Sequence, residues 1–256
     1  MKIVAKTDIG LTRTSNQDSY AAGELPGSVA WAVVCDGMGG GNGGSTASRL
    51  AVQTVIDDMS LTKDYHDPIE KLSDAIKHAN EVIFSTGKAD PSLYGMGTTL
   101  TAILISKQSA IIAHVGDSRV YQLRNKNKVF RTKDHSMVFQ FVQQGLISEE
   151  EARVHPQSNV ILSALGISDT VEPEITEVSY NKGDRFVLCT DGFWGMMPEP
   201  EFIHYIGGKG DLEEQSKRKM DLYVHNSKTK LLADIMTSGF EANDCCFINW
   251  EKLTKK

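Results

Sequence analysis

Two apolar stretches of similar composition each end in an aspartate and a glycine. They are Val33-Val34-Cys35-Asp36-Gly37 and Val187-Leu188-Cys189-Thr190-Asp191-Gly192. A carboxylate at the end of a buried strand is costly to desolvate unless a cation or several donors compensate it. Two further aspartates, Asp18 and Asp244, stand in comparable surroundings. Because carboxylates and a glycine carbonyl form a hard ligand set, the pattern favours Mg²⁺ or Mn²⁺ over zinc, although Asp-Gly is also an ordinary turn signal.

Length and composition narrow the class of protein. The 256 residues, 40% of them hydrophobic, suffice for one large domain or two small ones, and nothing marks an internal linker. A net charge of −6 argues against a general nucleic-acid or membrane surface. The sequence shows neither a signal peptide nor an apolar run of membrane-spanning length, so we predict a cytoplasmic protein. The four cysteines form no Cys-x-x-Cys pair and are expected to be buried thiols.

Strand patterns dominate three regions of the chain. The middle region alternates polar and apolar residues, turns at Lys107-Gln108-Ser109 and continues as an apolar run, which predicts a hairpin and a largely antiparallel sheet. The predicted strand regions are Val29 to Cys35, the pair Thr98 to Ser106 and Ala110 to Leu123, and Arg185 to Thr190.

Helical patterns occur in runs between the strand regions, which favours an α+β fold over alternating βαβ units. Capping signals and apolar stripes predict three helices, at Ser45 to Met59, Asp67 to Thr86 and Lys228 to Ser238. The segment from Ser136 to Tyr180 combines short helical patterns with turns. We interpret it as a surface excursion that either frames a site or is a plain insertion.

A glycine-rich stretch from Gly37 to Gly44 invites comparison with phosphate-binding loops. Its G-x-G-x-x-G spacing fits a dinucleotide site badly, because Asp36 would face the pyrophosphate and the acidic residues about 20 positions on lie in a helix. Ser45 stands where a Walker A loop has lysine, which argues against an NTPase. The glycines are either a tight structural turn or a means for carbonyl groups to approach a metal.

The remaining pattern suits metal-activated hydrolysis of a phosphate ester. Asp36, Asp117 and Asp191 stand at strand ends, and Arg13 precedes Asp18 by a few residues. Two divalent ions that share one carboxylate could lower the pKa of a water molecule and direct it at phosphorus. An arginine could bind the phosphoryl oxygens as a fork.

These residues carry a family resemblance. The chain resembles the metal-dependent serine/threonine protein phosphatases of type 2C, the PPM family, in their bacterial form. The match consists of seven motifs in order: Arg13-x-x-Asn16-Gln17-Asp18, Asp36-Gly37-Met38-Gly39-Gly40, Gly97-Thr98-Thr99, Val115-Gly116-Asp117-Ser118-Arg119, Asp134-His135-Ser136, Thr190-Asp191-Gly192 and Asp244.

The resemblance implies a role for each candidate site residue. Asp36 is expected to bridge two Mn²⁺ or Mg²⁺ ions, with the Gly37 carbonyl and a water-mediated Asp18 completing one of them. Arg13 is expected to bind the substrate phosphate, so Asp36, Asp18 and Arg13 are the implied catalytic residues. Asp191 and Asp244 are expected to hold the second ion, and Asp117 resembles the ligand that, with Asp191, admits a weaker third ion in bacterial members. The implied metal ligands are therefore Asp18, Asp36, Gly37, Asp191, Asp244 and Asp117.

The resemblance also implies an architecture and partners. The expected fold is a four-layer α-β-β-α sandwich with two central antiparallel sheets, in a single catalytic domain spanning residues 1–256. The excursion at about residues 136–180 is expected to contain a mobile flap. Expected partners are phosphorylated protein substrates and a cognate cytoplasmic Ser/Thr kinase, with no nucleic acid and no membrane, and the chain is expected to be a monomer.

The chain departs from the family pattern at three places. Met38 stands where many eukaryotic members have a histidine proposed as general acid, and Gln17 stands where the residue is often acidic. Asp244 is followed by two cysteines instead of asparagine and a small hydroxyl residue. This last motif keeps open a pseudophosphatase that acts as a binding module. A hydrolase of small phosphorylated metabolites also stays open.

Three residues near these motifs are expected to have structural roles. His135 and Trp194 are expected to pack, and Arg119 is expected to order Asp117 or a nearby loop.

Overall fold

The computed structural model describes residues 2–10, 13–25, 29–40, 43–61, 67–107, 109–207 and 245–251. These residues fall into two compact units. The first unit takes its residues from Met1–Asn16, Arg119–Leu162 and Lys182–Lys256, and the second from Gln17–Ser118 and Ser163–Asn181. The expectation of one catalytic domain over residues 1–256 stays a prediction.

The described strands, in chain order, are β1 (Lys2–Asp8), β2 (Asp18–Leu25), β3 (Val29–Met38), β4 (Gly97–Thr98), β5 (Leu100–Ile105), β6 (Ala110–Val115), β7 (Arg119–Arg124), β8 (Asn127–Arg131), β9 (Glu174–Val178), β10 (Arg185–Cys189) and β11 (Cys245–Glu251). The described helices are α1 (Gly43–Leu61), α2 (Pro68–Ala89), α3 (Met137–Gln143), α4 (Glu149–Arg153), α5 (Asp191–Trp194) and α6 (Glu199–Ile206), with a 3₁₀ turn at Pro91–Leu93.

The second unit is built on an antiparallel sheet in the order β2-β3-β5-β6-β9, with β4 beside the end of β3. The predicted hairpin is confirmed, since Leu100 pairs with Val115 and Ile105 with Ala110. The predicted strand from Ala110 to Leu123 is interrupted at Gly116, whose φ of 109° ends β6. A Cβ atom at this glycine would lie 2.6 Å from the Thr99 side chain, so the turn requires glycine.

Helices α1 and α2 belong to the same unit and share its apolar core. Helix α2 begins as predicted: the Asp67 side chain accepts hydrogen bonds from the amides of Ile69 and Glu70. Its apolar stripe is buried, including Ala75 and Ile76. Helix α1 begins at Gly43, two residues before the predicted start at Ser45.

The first unit contains the sheet β1-β11-β10-β7-β8, also antiparallel. The predicted strand at Arg185 to Thr190 is confirmed as β10, which pairs with β7 and β11. Aromatic residues form the core on this sheet: the Tyr121 and Phe202 rings lie 5.2 Å apart and those of Phe193 and Phe202 5.5 Å apart. Fully buried rings of this size supply much of the hydrophobic stabilisation of so small a core.

The predicted excursion from Ser136 to Tyr180 divides into two parts. Residues 136–162 belong to the first unit and contain α3 and α4. Their ends are tied together, because the Met137 amide donates to Val160 O (2.9 Å) and the Leu162 amide to His135 O (2.8 Å). The remainder corrects the interpretation as an excursion, since Leu165 is fully buried and Glu174–Val178 is strand β9.

The α+β class with antiparallel sheets and helices is confirmed, while the four-layer stacking stays a prediction. The predicted helix at Lys228 to Ser238 and the candidate ligand Asp244 lie outside the described residues. No described helix is both long enough and apolar enough to cross a membrane.

Candidate metal centre

Two of the predicted ligands face each other across one strand pair. In the antiparallel register of β2 and β3, Asp18 lies directly opposite Asp36. Side chains in such positions have Cβ atoms about 5 Å apart, and like charges there repel. Asp18 is only 8% exposed and Asp36 is half-buried, so water screens the two charges poorly. This donor chemistry fits a divalent cation that takes oxygen ligands.

The thiol of Cys35 reports the same concentration of negative charge. Burial raises the pKa of Cys35 well above its usual value, and the charges of Asp18 and Asp36 raise it further. The group therefore stays a neutral thiol at physiological pH, which argues against Cys35 as a nucleophile. Cys35 and Cys189 are both buried free thiols, as predicted.

Gly37 is enclosed by backbone on two sides. Its amide donates to Gln17 O at 3.2 Å. A Cβ atom at Gly37 would collide with the Gly44 carbonyl and lie 2.7 Å from Gln17 O. A Cβ atom at Gly44 would in turn lie 2.8 Å from Gly37 O. The glycine-rich stretch therefore brings the start of α1 against the end of β3, where a side chain at either glycine would separate them.

Thr98 and Thr99 fix the backbone of Asp36, a function that the sequence did not reveal. The Asp36 amide donates to Thr99 Oγ1 (2.9 Å), and Asp36 O accepts hydrogen bonds from the Thr99 amide and Thr98 Oγ1 (both 2.9 Å). Thr99 Oγ1 also lies 2.8 Å from Ser118 Oγ, the neighbour of Asp117. Asp117 is 3% exposed. The second unit thus brings together the chain segments that carry Asp18, Asp36, Gly37 and Asp117.

Ser48 is a second supporting residue that the sequence did not reveal. It lies on α1, is fully buried, and donates its hydroxyl to Gln17 O at 2.6 Å. The same Gln17 carbonyl accepts the Gly37 amide. A hydroxyl residue among the apolar residues of a buried helix face is the signal that could have identified it.

In the first unit, Asp191 follows β10 and is the first residue of α5. Its carbonyl accepts the Gly195 amide at 2.8 Å. Cys189, near the end of β10, pairs with Phe247 of β11, so β11 begins at the sheet end from which Asp191 emerges. Asp244 precedes the first residue of β11 and lies outside the described residues.

Arg119 orders the loop that carries Asp134, which agrees with one of its two predicted roles. Its guanidinium donates to both carboxylate oxygens of Asp134 (2.8 and 2.6 Å) and to Tyr121 Oη (3.0 Å). Its central carbon lies 3.3 Å from the centre of the Trp194 ring, three residues after Asp191. Burial opposes the charge of Arg119, but Asp134 and Tyr121 outweigh it and hold its pKa well above the ordinary value. Arg119 therefore braces Trp194 and the Asp134 loop.

Arg13 belongs to the first unit and is exposed to solvent. Nearby, the Asn16 side chain donates to Thr7 Oγ1 at 2.8 Å and ties this segment to β1. His135 has a structural contact through its carbonyl, which accepts the Leu162 amide.

Among the residues that the structure describes, no group of three or more His, Cys, Asp or Glu side chains is arranged to hold an ion. Within the described part of the chain, Asp18 and Asp36 are candidate carboxylate ligands on paired strands, and Gly37 follows Asp36. Of the other candidate ligands, Asp117 belongs to the same unit, Asp191 belongs to the first unit, and Asp244 lies outside the described residues.

Comparison with known proteins identifies the family. The sequence model of the family described as "Protein phosphatase 2C" matches residues 12–222. The chain belongs to this family. It is 36% identical over 222 residues to the serine/threonine phosphatase stp of Listeria welshimeri, with 86% of each chain covered. The predicted membership and the enzyme class, a protein-serine/threonine phosphatase, are therefore confirmed at the level of the family.

Solved structures agree with this assignment. The serine/threonine phosphatase Stp1 from Staphylococcus aureus is similar with a TM-score of 0.87 and 27% identity, over 99% of this chain and 95% of that one. The catalytic domain of the serine/threonine protein phosphatase PstP, solved in complex with 2 manganese ions, has a TM-score of 0.78 and 30% identity, over 97% of this chain and 96% of that one. The bacterial form of the protein phosphatase 2C family is the group that this chain resembles.

Proposed function

We propose that this phosphatase hydrolyses phosphoserine and phosphothreonine in proteins at a centre that holds two Mn²⁺ or Mg²⁺ ions. The observation that carries the proposal is the register of β2 and β3, which sets Asp18 opposite Asp36 beside Gly37. The relative PstP, solved with 2 manganese ions, supports the choice of metal. When bound, such ions lower the pKa of a coordinated water and neutralise charge that develops on the phosphoryl group.

The residues divide between the two ions. Asp36 would serve both, the Gly37 carbonyl and a water-mediated Asp18 would complete the first, and Asp191 with Asp244 would hold the second. In addition, Asp117 and Asp191 would admit a third, weaker ion. The hydrogen bonds from Thr98 and Thr99 hold the Asp36 backbone in place, which limits how far its carboxylate can swing.

Arg13 binds and orients the substrate. Its guanidinium donates hydrogen bonds to two phosphoryl oxygens, and its positive charge attracts the negatively charged phosphate. Met38 has no proton to give, so the departing serine or threonine oxygen takes its proton from water or from another group. Arg13→Ala is expected to raise KM more than it lowers kcat, because the lost contact is made in the ground state as well.

The physiological setting follows from the same reaction. A phosphatase of this specificity opposes a Ser/Thr kinase, and the net charge of −6 fits protein substrates better than nucleic acid. A cytoplasmic location, a monomeric state and a cognate kinase remain predictions.

The test is dephosphorylation of a phosphothreonine peptide with Mn²⁺, with EDTA, and by Asp36→Asn. Asp74→Asn is the matched control, because Asp74 is an exposed carboxylate on α2. We expect turnover that requires metal, is lost in Asp36→Asn and is retained in Asp74→Asn.

A second candidate function is a binding module without turnover, which the unusual sequence Asp244-Cys245-Cys246 favours. A folded protein that shows no turnover at any metal concentration would support it. A third candidate function is hydrolysis of small phosphorylated metabolites. Competition between the phosphopeptide and small phosphate esters tests it: a far higher catalytic efficiency on a small ester would mean that the substrate is not a protein.

A further inference from the structure

Asn80 is a polar residue on the buried face of α2. It is 1% exposed and stands in the stripe that contains Ala79 and Ile83. A buried amide is costly unless it forms hydrogen bonds, so its presence there calls for partners. The partners come from one loop, Leu165–Asp169. Asn80 Oδ1 accepts the Gly166 amide at 2.8 Å, and Asn80 Nδ2 donates to the carbonyls of Ser168 (3.1 Å) and Asp169 (3.2 Å).

The Leu165–Asp169 loop lies close against α2. Gly166 has a φ of +83°, and a Cβ atom there would collide with the Ile83 side chain and lie 2.9 Å from Met96 O. The loop backbone therefore occupies space that a side chain would need. Three hydrogen bonds from one amide fix the loop at this distance from the helix.

The loop is hydrogen-bonded to β4, the short strand beside the candidate metal ligands. The Thr98 amide donates to Leu165 O (3.0 Å), and the Leu165 amide donates to Thr98 O (2.9 Å). On its other side Thr98 pairs with Gly37, and its hydroxyl donates to Asp36 O at 2.9 Å. Thr98 and Leu165 are both fully buried. Three backbone segments thus lie side by side, with Thr98 between Gly37 and Leu165.

We propose that Asn80 is a positioning residue for the metal ligands Asp36 and Gly37. It fixes the Leu165–Asp169 loop, the loop fixes Thr98, and Thr98 fixes the carbonyl of Asp36 and the register of Gly37. Groups that orient metal ligands typically change metal affinity by about 10- to 100-fold when they are removed. The inference rests on the proposed function, since it requires that Asp36 and Gly37 bind metal.

The first test measures Mn²⁺ binding directly, from the electron paramagnetic resonance signal of free Mn²⁺ in a titration of the full chain. Asn80→Leu is the variant, because leucine is close in size, suits the apolar face and deletes all three hydrogen bonds. We expect the Kd for Mn²⁺ to rise about 10-fold. Thr86→Ala is the matched control on the same helix: its hydroxyl donates to Val82 O at 2.7 Å, within α2.

The outcomes separate this inference from the proposed function. If wild type and Thr86→Ala bind Mn²⁺ and Asn80→Leu binds it equally well, Asn80 only stabilises the fold and the inference is wrong. If wild type takes up no Mn²⁺, the proposed metal centre fails and the inference fails with it.

A second variant tests the route. Thr98→Val removes the hydroxyl that donates to Asp36 O and keeps the backbone pairing. If Asn80 acts through Thr98, the loss of Mn²⁺ affinity in the double variant is smaller than the product of the two single losses. If the two losses of Mn²⁺ affinity multiply, Asn80 does not act through Thr98.

A third measurement uses only the wild-type protein and does not depend on a variant that folds. Coupling between two sites is reciprocal, so Mn²⁺ bound at Asp36 and Gly37 must stabilise the Leu165–Asp169 loop. We expect saturating Mn²⁺ to slow hydrogen exchange of the Gly166 and Leu165 amides by at least several-fold. Exchange rates at these amides that do not change on Mn²⁺ binding would overturn the proposal.

Discussion

The candidate ligands Asp36 and Asp191 stand near the ends of similar apolar strands, but different interactions hold them. The backbone of Asp36 is held by uncharged groups, namely the amide of Thr99 and the hydroxyls of Thr98 and Thr99. The short helix of Asp191 contains Trp194, which stacks on a buried arginine paired with an aspartate. Asp36 therefore depends on hydrogen bonds within a sheet. Asp191 instead stands near an ionic cluster, the ion pair of Arg119 and Asp134.

This difference has physical consequences. Hydrogen bonds between uncharged groups respond little to pH or salt. When one partner is removed, only the polar group that faced it loses its hydrogen bond. A buried ion pair behaves as a unit, because removal of one partner leaves an uncompensated charge. In the first unit the cluster extends further, since Arg131 pairs with both Glu149 (3.0 Å) and Glu199 (2.6 Å). Changes in the two regions should consequently differ in size and in kind.

The largest effect is expected from the ligands themselves. Asp36→Asn should lower kcat/KM by about 1,000-fold or more at every Mn²⁺ concentration, because several kcal/mol of charge stabilisation are lost with a shared ligand. Asp191→Asn should be partly rescued by high Mn²⁺, because the proposed ligands of the first ion, Asp36, Gly37 and Asp18, are all retained. Steady-state rates over a range of Mn²⁺ concentrations check this. Equal rescue of both variants would remove the distinction between Asp36, proposed to serve both tightly bound ions, and Asp191, proposed to serve one of them.

The next effect concerns the ionic cluster. Arg119→Met leaves Asp134, whose side chain is 4% exposed, without its charged partner. We expect the free energy of unfolding to fall by about 3–5 kcal/mol, measured by urea denaturation. Arg153→Met is the matched control, since Arg153 forms a more exposed pair with Glu150. It should cost less than about 1 kcal/mol. Similar losses in the two variants would contradict the structural role of Arg119.

The third effect concerns the uncharged hydrogen bonds between Thr99 and the backbone of Asp36. Thr99→Val keeps the side-chain shape and removes the hydroxyl that lies between the Asp36 amide and Ser118. Mn²⁺ affinity should fall by about 10-fold. Thr101→Val is the control, because the Thr101 hydroxyl contacts His114 and the Ser118 carbonyl instead. Calorimetric titration of both variants should show weakened metal binding in Thr99→Val and near-normal binding in Thr101→Val; the reverse order would refute the support of Asp36 by Thr99.

The smallest effect is a pH dependence confined to the ionic cluster. Burial tends to raise the pKa of Glu199, but hydrogen bonds from Lys128 and Arg131 outweigh it, so the pKa is lowered. The unfolded chain then binds the proton more tightly, and the stabilisation is present above the unfolded pKa and lost as the pH falls through the lowered one.

Glu199→Gln should therefore destabilise the protein at pH 7 by about 1 kcal/mol or less, and the difference from wild type should shrink as the pH falls below the ordinary glutamate pKa of 4.5. Chemical denaturation at several pH values measures it. A difference that does not change with pH would mean that the charge of Glu199 contributes nothing.

The sequence predicted those parts of the fold and site that local patterns encode. The hairpin of β5 and β6, the start of α2 at Asp67 and the Asp36-Gly37 strand end all follow from short runs of residues. Strand β9, Glu-Ile-Thr-Glu-Val, was not predicted, because its stability comes from pairing with β6 and not from its own pattern.

The supporting residues were not predictable for a related reason. Thr99 and Asn80 act through partners distant in sequence, Ser118 and Gly166 respectively. For Arg119 the sequence left two roles open, ordering Asp117 or a nearby loop. Its side chain pairs with Asp134, which follows the β7–β8 hairpin. Local patterns indicate candidate ligands, whereas the contacts that hold these residues depend on the tertiary fold.

The most direct test counts the Mn²⁺ ions bound per chain by calorimetric titration of wild type, Asp191→Asn and Asp36→Asn. If Asp36 is the ligand shared by both ions, wild type binds two ions tightly, Asp191→Asn keeps one and Asp36→Asn keeps none. An Asp36→Asn protein that still binds two ions with wild-type affinity would contradict the shared ligand and the metal centre built on it.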